Sequence, residues 1–434
     1  MMQLLRKAAT SVLLIAVVAL GARLAFAWNQ IHEIPVELQG TLPFQTETGH
    51  IACSLATGKG YSSPFQRDTG PTAWLTPVYP LLVAGIFKLF GVYSRASFLA
   101  AILLNVLFSS VACVPIFFAG KRVAGLGTAS AASWLWALFI NAIMIPFEWI
   151  WDTSLAALLA AILLWATLKL PESKRLRDWC GYGFLWGVAL MTNPALAGVF
   201  PFLLAWLIFR ARRERLKSTG PAMAAALALL CCVPWTVRNF VAFHRLIPLR
   251  SNLSFELYIG NNENYDERHR GLPPVITQDR EILRYLRMGE MAFMDEERRK
   301  ALQFIVSHPR VELWLFANRI VDFWMGTAAP VKMFVASNSL LIRAILLGNL
   351  LSTTGGFLGV AVLFWRREAY AIPLAAFPVV FPILYYVTHT SLRYRHPIDP
   401  VVLLLTAIAA AQLGRRLLQG GLVVKAKRAD RPGR

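Results

Sequence analysis

The sequence predicts an all-α polytopic membrane protein with about ten transmembrane helices. Of its 434 residues, 56% are hydrophobic and 16% charged, where a soluble domain carries about 25% charged residues. Mean hydropathy is +0.51, and several apolar runs reach the roughly 18 residues that suggest a bilayer span. A disordered chain, a coiled coil and an ordinary soluble enzyme are excluded by this composition. The net charge of +20 would point to nucleic acid on a soluble chain. Here it fits basic residues gathered at cytoplasmic membrane edges, with membrane lipid as the partner and no nucleic acid.

The first apolar stretch, about 9–27, follows Arg6 and Lys7 and ends in Ala25-Phe26-Ala27. That ending resembles a signal-peptide cleavage site. Its length, the interruption at Arg23 and the many spans that follow read instead as an uncleaved first helix. Further spans are expected near 95–119, 126–146, 153–170, 179–193, 195–210, 221–240, 340–364, 370–388 and 397–413. The segment 77–91 is short, opens at Pro77 and contains Lys88. If it does not cross, twenty-one basic residues fall on one side, and the short loops 147–152 and 193–194 opposite hold none. The positive-inside rule therefore reads 77–91 as re-entrant or surface-lying and puts both termini in the cytoplasm. The segment 415–434 is then a basic cytoplasmic tail.

Two outer segments are long, 28–94 and 241–338. In the first, Ile51, Ala52, Leu55 and Ala56 share one helical face and Glu47, His50 and Ser54 the other, which predicts a short surface helix stopped by Gly58 and Gly60. In the second, 295–308 is amphipathic with Asp295 as a candidate cap. Pro309 opens a helix carrying Trp314, Phe316, Phe323 and Trp324, residues suited to the interface. The five cysteines, Cys53, Cys113, Cys180, Cys231 and Cys232, have no metal or disulfide spacing and read as small core residues. Glu148 and Asp152 stand four apart at an outer helix start and are expected to share a face. Asp152 could equally cap the next helix, before Thr153 and Ser154. Arg393 and Arg395, and Arg238, are basic residues at outer helix ends, against the charge rule. They read either as phosphate ligands or as interfacial anchors.

The run ETGHIACSLATGKGYSSPF (Glu47 to Phe65), followed by TGPTAWLTPVYPLLVAGIFKLFG (Thr69 to Gly91), resembles the first periplasmic loop of GT-C fold membrane glycosyltransferases. These are family 39-like enzymes, related to protein O-mannosyltransferases and to aminoarabinose transferases. IWDTSL (Ile150 to Leu155), LMTNPAL (Leu190 to Leu196), PWTVRNF (Pro234 to Phe240), IGNNE (Ile259 to Glu263) and LRYRHPIDP (Leu392 to Pro400) fit the same pattern. Two departures stand out. Thr46 precedes Glu47 where relatives often have an acid, and Thr76 stands where relatives often have Lys.

The resemblance implies a single integral membrane domain with a GT-C-type bundle and outer juxtamembrane helices. It also implies a polyprenyl-phosphate-sugar co-substrate and chemistry at the outer face of a bacterial cell membrane. The acceptor is a hydroxyl on protein, lipid or cell-envelope glycan. Such transfer needs a general base, cations on the phosphate and an apolar groove for the tail. The resemblance points to Glu47 as the base, with Asp152 the second candidate. Glu148, Asp68, His50, Arg238, Arg393 and Arg395 are the substrate-binding candidates, and His396 is a weaker one. No Walker, Rossmann or metal-ligand pattern occurs, although related folds that hold a divalent cation on carboxylates leave that open for Glu47 with Asp152. Two alternatives remain: a transporter or flippase of lipid-linked sugars, which would show charges inside spans and inverted repeats, and a non-catalytic membrane assembly subunit, whose outer acids would be dispensable.

Overall fold

The computed structural model describes residues 10–148, 150–213, 219–263 and 279–429, with side chains to 416 in the last helix. Arg6, Lys7, Arg215, Lys217, Arg431 and Arg434 of the expected basic clusters lie outside the described residues, as do the side chains of Lys425, Lys427 and Arg428. In chain order the α-helices are α1 (Val12–Ile31), α2 (Glu47–Ala56), α3 (Val78–Phe90), α4 (Arg95–Val111), α5 (Cys113–Ala124), α6 (Leu126–Leu138) and α7 (Ile140–Glu148). They continue with α8 (Thr153–Lys169), α9 (Leu176–Leu190), α10 (Phe200–Arg213), α11 (Thr219–Phe243), α12 (Leu253–Gly260), α13 (Asp279–Met288) and α14 (Glu290–Ser307). The last are α15 (Pro309–Met325), α16 (Pro330–Ala336), α17 (Leu340–Trp365), α18 (Ala371–Val380), α19 (Ile383–Val387), α20 (Leu392–Arg395) and α21 (Asp399–Ala429).

Among the described residues, seven helices are long and apolar enough to cross a membrane, and eight if the pair α6 and α7, bent by 44°, is one span. The chain is thus an integral membrane protein. Two expected spans are shorter: 179–193 is α9, of 15 residues, and 370–388 is the broken pair α18 and α19. The ambiguous segment 77–91 contains α3, whose 13 residues extend about 20 Å at ~1.5 Å per residue. That is shorter than a bilayer core. It packs on α2 and α4 through Tyr79, Val83, Ala84 and Phe87.

Two expectations for the loops change. Asp295 is not a cap: α14 starts at Glu290 behind Gly289, whose φ of 77° suits glycine, so Asp295 is inside the helix. Glu148 and Asp152 do not share a helix face, because α7 ends at Glu148 and Asp152 precedes the next helix. Pro309 does open α15, as expected. The helix at Glu47 also forms, but Ser54 on its polar side is buried, since that side too faces protein.

Broken helices leave carbonyls without partners, and a membrane interior has no water to satisfy them. Arginines do so here. Arg23, fully buried in α1, donates to the carbonyl oxygens of Trp136 (3.2 Å) and Ala137 (3.1 Å) at the end of α6, and to Ser109 Oγ at 2.8 Å. Arg319 in α15 donates to Tyr386 O and Val387 O, at 3.1 and 3.2 Å, where α19 ends. Arg395 pairs with Asp399 at 2.6 Å and also donates to Trp324 O, Ser352 Oγ and Thr353 Oγ1, joining α15, α17 and α21.

Because Asp399 is 1% exposed, removing only its partner strands a buried charge. Arg395→Met is expected to lower the stability of the detergent-solubilised protein by about 3–5 kcal/mol, and Arg395→Met with Asp399→Leu to recover most of it. Thermal unfolding of both variants checks this; a single variant as stable as wild type would show that the pair is not structural.

Candidate active site

The two long loops meet at one end of the bundle, and a narrow recess lies beneath them. Its wall is drawn from distant stretches of chain: Glu47 and Trp74 from the first loop, Asp152 and Asn193 from the bundle, Arg250 and Glu256 from the second loop, and His389 and Arg393 from the turn before the last span.

Glu47 is the first residue of α2. Thr46 caps the helix, its hydroxyl accepting from the Gly49 N–H at 3.3 Å. Gly49 lets this turn press against Phe44: a Cβ there would lie 2.0 Å from the Phe44 carbonyl oxygen. The Glu47 carboxylate is therefore fixed in depth, half-buried in the recess. Burial pushes its pKa up to about 7, with nearby Glu256 adding to the rise, while the helix N–H and Arg393 pull the other way.

Asp152 precedes α8, but its side chain caps nothing. Its Oδ2 instead accepts from Asn193 Nδ2 at 2.9 Å, and the carboxylate faces the recess. Burial raises its pKa to about 6, opposed by Arg250, by the Asn193 hydrogen bond and by Arg393. The two candidate acids are thus in one cavity, both held above the usual carboxylate range and both facing arginine.

Of the three arginines singled out in the sequence, the recess contains only Arg393. Its guanidinium lies 4.1 Å from the centroid of the Trp151 ring, a cation–π contact, and 3.4 Å from Tyr394 OH. Arg395 is turned into the bundle by its pair with Asp399 and does not reach the cavity. Arg238 spends its donors on Thr72 O and Tyr61 O, at 2.6 and 2.5 Å, so it clamps the first loop. Nor do Asp68 and His50 join the recess. They line a separate surface depression, where Asp68 bonds Ser63 (3.0 Å) and Lys59 (3.5 Å) and His50 Nδ1 lies 3.3 Å from Tyr93 OH. Glu148 is exposed at the end of α7, and His396 is buried against Trp136.

Three recess residues were not singled out in the sequence. Arg250 faces Asp152 from the start of the second loop. It is an outer-end arginine like Arg238, so the same charge rule could have found it. Glu256 accepts from Asn252 Nδ2 at 2.8 Å and lies 3.2 Å from His389 Nδ1. His389 Nε2 is 3.1 Å from Tyr394 OH, and burial holds its pKa below the ordinary histidine value. Neither residue had a local pattern to announce it. Among the described residues no three His, Cys, Asp or Glu side chains gather closely enough to hold a metal ion.

Beside the recess runs an apolar groove lined by Pro194, Ala195, Gly198, Leu249, Val380, Phe381 and Ile383. It shares Arg250, Leu253 and Leu384 with the recess wall. An anionic head with a long apolar tail fits this pair of cavities: cations meet the head, and the groove continues the tail outward.

Residues 73–237 match the family described as dolichyl-phosphate-mannose-protein mannosyltransferase. That segment holds Trp74, Asp152 and Asn193; Glu47, Arg250 and Arg393 lie outside it. No curated protein matches the chain in sequence. In structure the chain is similar to the oligosaccharyltransferase of Archaeoglobus fulgidus. A complex with zinc and sulfate has TM-score 0.53 and 15% identity, covering 94% of this chain and 49% of that one. The same transferase, AglB, with an inhibitory peptide and a dolichol-phosphate has TM-score 0.51 and 13% identity, covering 98% and 52%. ArnT from Cupriavidus metallidurans bound to undecaprenyl phosphate has TM-score 0.46 and 12% identity, covering 88% and 59%. The chain spans about half the length of the oligosaccharyltransferases it matches. The chain has the GT-C fold of these oligosaccharyltransferases, and residues 73–237, less than half of its length, are similar to the dolichyl-phosphate-mannose-protein mannosyltransferase family.

Proposed function

We propose that this chain transfers a sugar from a polyprenyl-phosphate-linked donor to an acceptor hydroxyl, with the loop end of the bundle on the periplasmic or extracellular side. The observation that carries this reading is the recess itself: Glu47 and Asp152 face Arg393 and Arg250 where an apolar groove opens. The dolichol-phosphate in the AglB structure supports a lipid-phosphate ligand.

In this reading the polyprenyl tail lies along the groove, and Arg250 and Arg393 hold the phosphate. Glu47 takes the proton of the acceptor hydroxyl as its oxygen attacks the anomeric carbon. The bond from that carbon to the phosphate oxygen breaks, and polyprenyl phosphate leaves with the electron pair. The developing negative charge is met by arginines already in place, so little reorganisation is needed. Asp152, oriented by Asn193, positions the acceptor or the sugar hydroxyls. A flippase reading gains nothing from the structure, because the recess acids sit at one end of the bundle rather than along a path through it.

Three outcomes are expected. With purified protein and a panel of polyprenyl-phosphate sugars, Glu47→Gln should lower turnover by roughly 10²–10⁴ and leave donor binding intact. If Glu47→Gln turns over normally while Asp152→Asn does not, Asp152 is the base; if both stay active, the mechanism fails. Because the base must be ionised and Glu47 titrates near 7, the rate should rise with pH and level off above about 7. Below that it falls about tenfold per pH unit; a flat profile from pH 5 to 8 would exclude Glu47 as the base. For orientation, cysteines at the exposed Gln66 and His244 should react with an impermeant thiol reagent in outer-permeabilised cells, and one at Lys174 should not. The reverse pattern would overturn the assigned sides.

A further inference from the structure

One buried carboxylate behind the recess is left without a task by this mechanism. Glu290, the first residue of α14, is 5% exposed and does not line the cavity. Four donors converge on it. Thr72 Oγ1 and Tyr285 OH donate to Oε2 at 2.5 and 2.6 Å, and the Ala73 N–H and Ser251 Oγ donate to Oε1 at 2.8 and 2.6 Å. Thr72 and Ala73 belong to the first long loop; Ser251 belongs to the second. The Ser251 N–H also donates to Ala73 O at 2.8 Å, so the two strands of loop are bonded directly in front of the carboxylate.

The next residue along each loop lines the recess: Trp74 follows Ala73, and Arg250 precedes Ser251. The Thr72 hydroxyl is committed in both directions, accepting from the Trp74 N–H at 3.0 Å while donating to Glu290. All four groups facing Glu290 therefore present hydrogens. A carboxylate accepts all of them; an amide would turn an NH₂ group toward two hydroxyls or toward the Ala73 N–H.

We infer that Glu290 is a positioning residue, whose carboxylate locks the two long loops together so that Arg250 and Trp74 are set for the phosphate of a lipid-linked ligand. The inference rests on the proposed function above, since Arg250 is taken there as a phosphate ligand. The competing view is that Glu290 staples the loops with no bearing on the recess. A positioning role predicts that its loss is felt through Arg250.

The test measures binding of undecaprenyl phosphate to the full chain in lipid nanodiscs, alongside thermal unfolding. Glu290→Gln should weaken binding about tenfold or more while the protein stays folded, and Ser251→Ala, the milder variant, about threefold. In an Arg250→Gln background, Glu290→Gln should cause no further loss, because both changes remove the same contact. Wild-type affinity in a folded Glu290→Gln protein, or losses that multiply in the double variant, would overturn the inference. If the wild-type chain binds no undecaprenyl phosphate, the proposed function fails instead, and hydrogen exchange then judges the lock. Exchange should rise together over 72–75 and 249–253 in Glu290→Gln; unchanged exchange there overturns it.

Discussion

A helix that stops inside a membrane protein must find partners for its last carbonyls, and this chain builds its cavity by stopping helices. α6 breaks from α7 and α19 ends short, and Arg23 and Arg319 bond the carbonyls exposed at those breaks. At the start of the last span Arg395, paired with Asp399, ties α15, α17 and α21 together. Each guanidinium is fully buried and spends its donors on backbone and side-chain oxygens, a carboxylate among them for Arg319 and Arg395, which is what makes a buried charge tolerable. Without these three residues the carbonyls at the breaks would lose their donors where no water can replace them.

The fold class was legible because it rests on composition and run length, and a bilayer demands both. The first surface helix was legible from local spacing, while its cap, Thr46, was not singled out. Glu47 was singled out by the resemblance and Asp152 by its place at an outer helix start, and the structure puts both carboxylates in one cavity. The arginines were half legible. The charge rule flags Arg238, Arg393 and Arg395 alike, yet it cannot tell a residue that meets a ligand from one that meets a carbonyl. The difference lies in the helix breaks, which depend on packing between segments far apart in the chain. Arg395 has a carboxylate four residues on and is drawn inward; Arg393, on the opposite side of the same turn, is left on the aromatic face of Trp151. Glu256, His389 and Glu290 carried no local pattern: Glu256 and His389 meet only when the second loop packs on the turn after α19, and Glu290 meets Thr72 and Ala73 only when the two long loops come together.

The two loops therefore act as one element. Arg238 clamps the first loop to α11 through Tyr61 O and Thr72 O. Glu290 bonds that loop to the second, and the backbone bond from Ser251 to Ala73 closes the seam. Glu47 and Arg250 come from the two loops and Asp152 and Arg393 from the ends of helices in the bundle, so the charge balance of the recess depends on how the loops are seated on the bundle.

The groove that shares Arg250, Leu253 and Leu384 with the recess has a kinetic consequence. A ligand held by its tail reaches such a cavity by sliding within the leaflet, not by falling in from water. Its supply is then a surface density, set by mole fraction in the lipid, and bulk molarity has no direct meaning for it. Adding detergent at fixed protein and fixed lipid-linked ligand would dilute the ligand in the only phase that counts. On the proposed lipid-linked donor, saturation curves would collapse onto one line only when plotted per lipid, and crowding of the leaflet would become a means of controlling the rate.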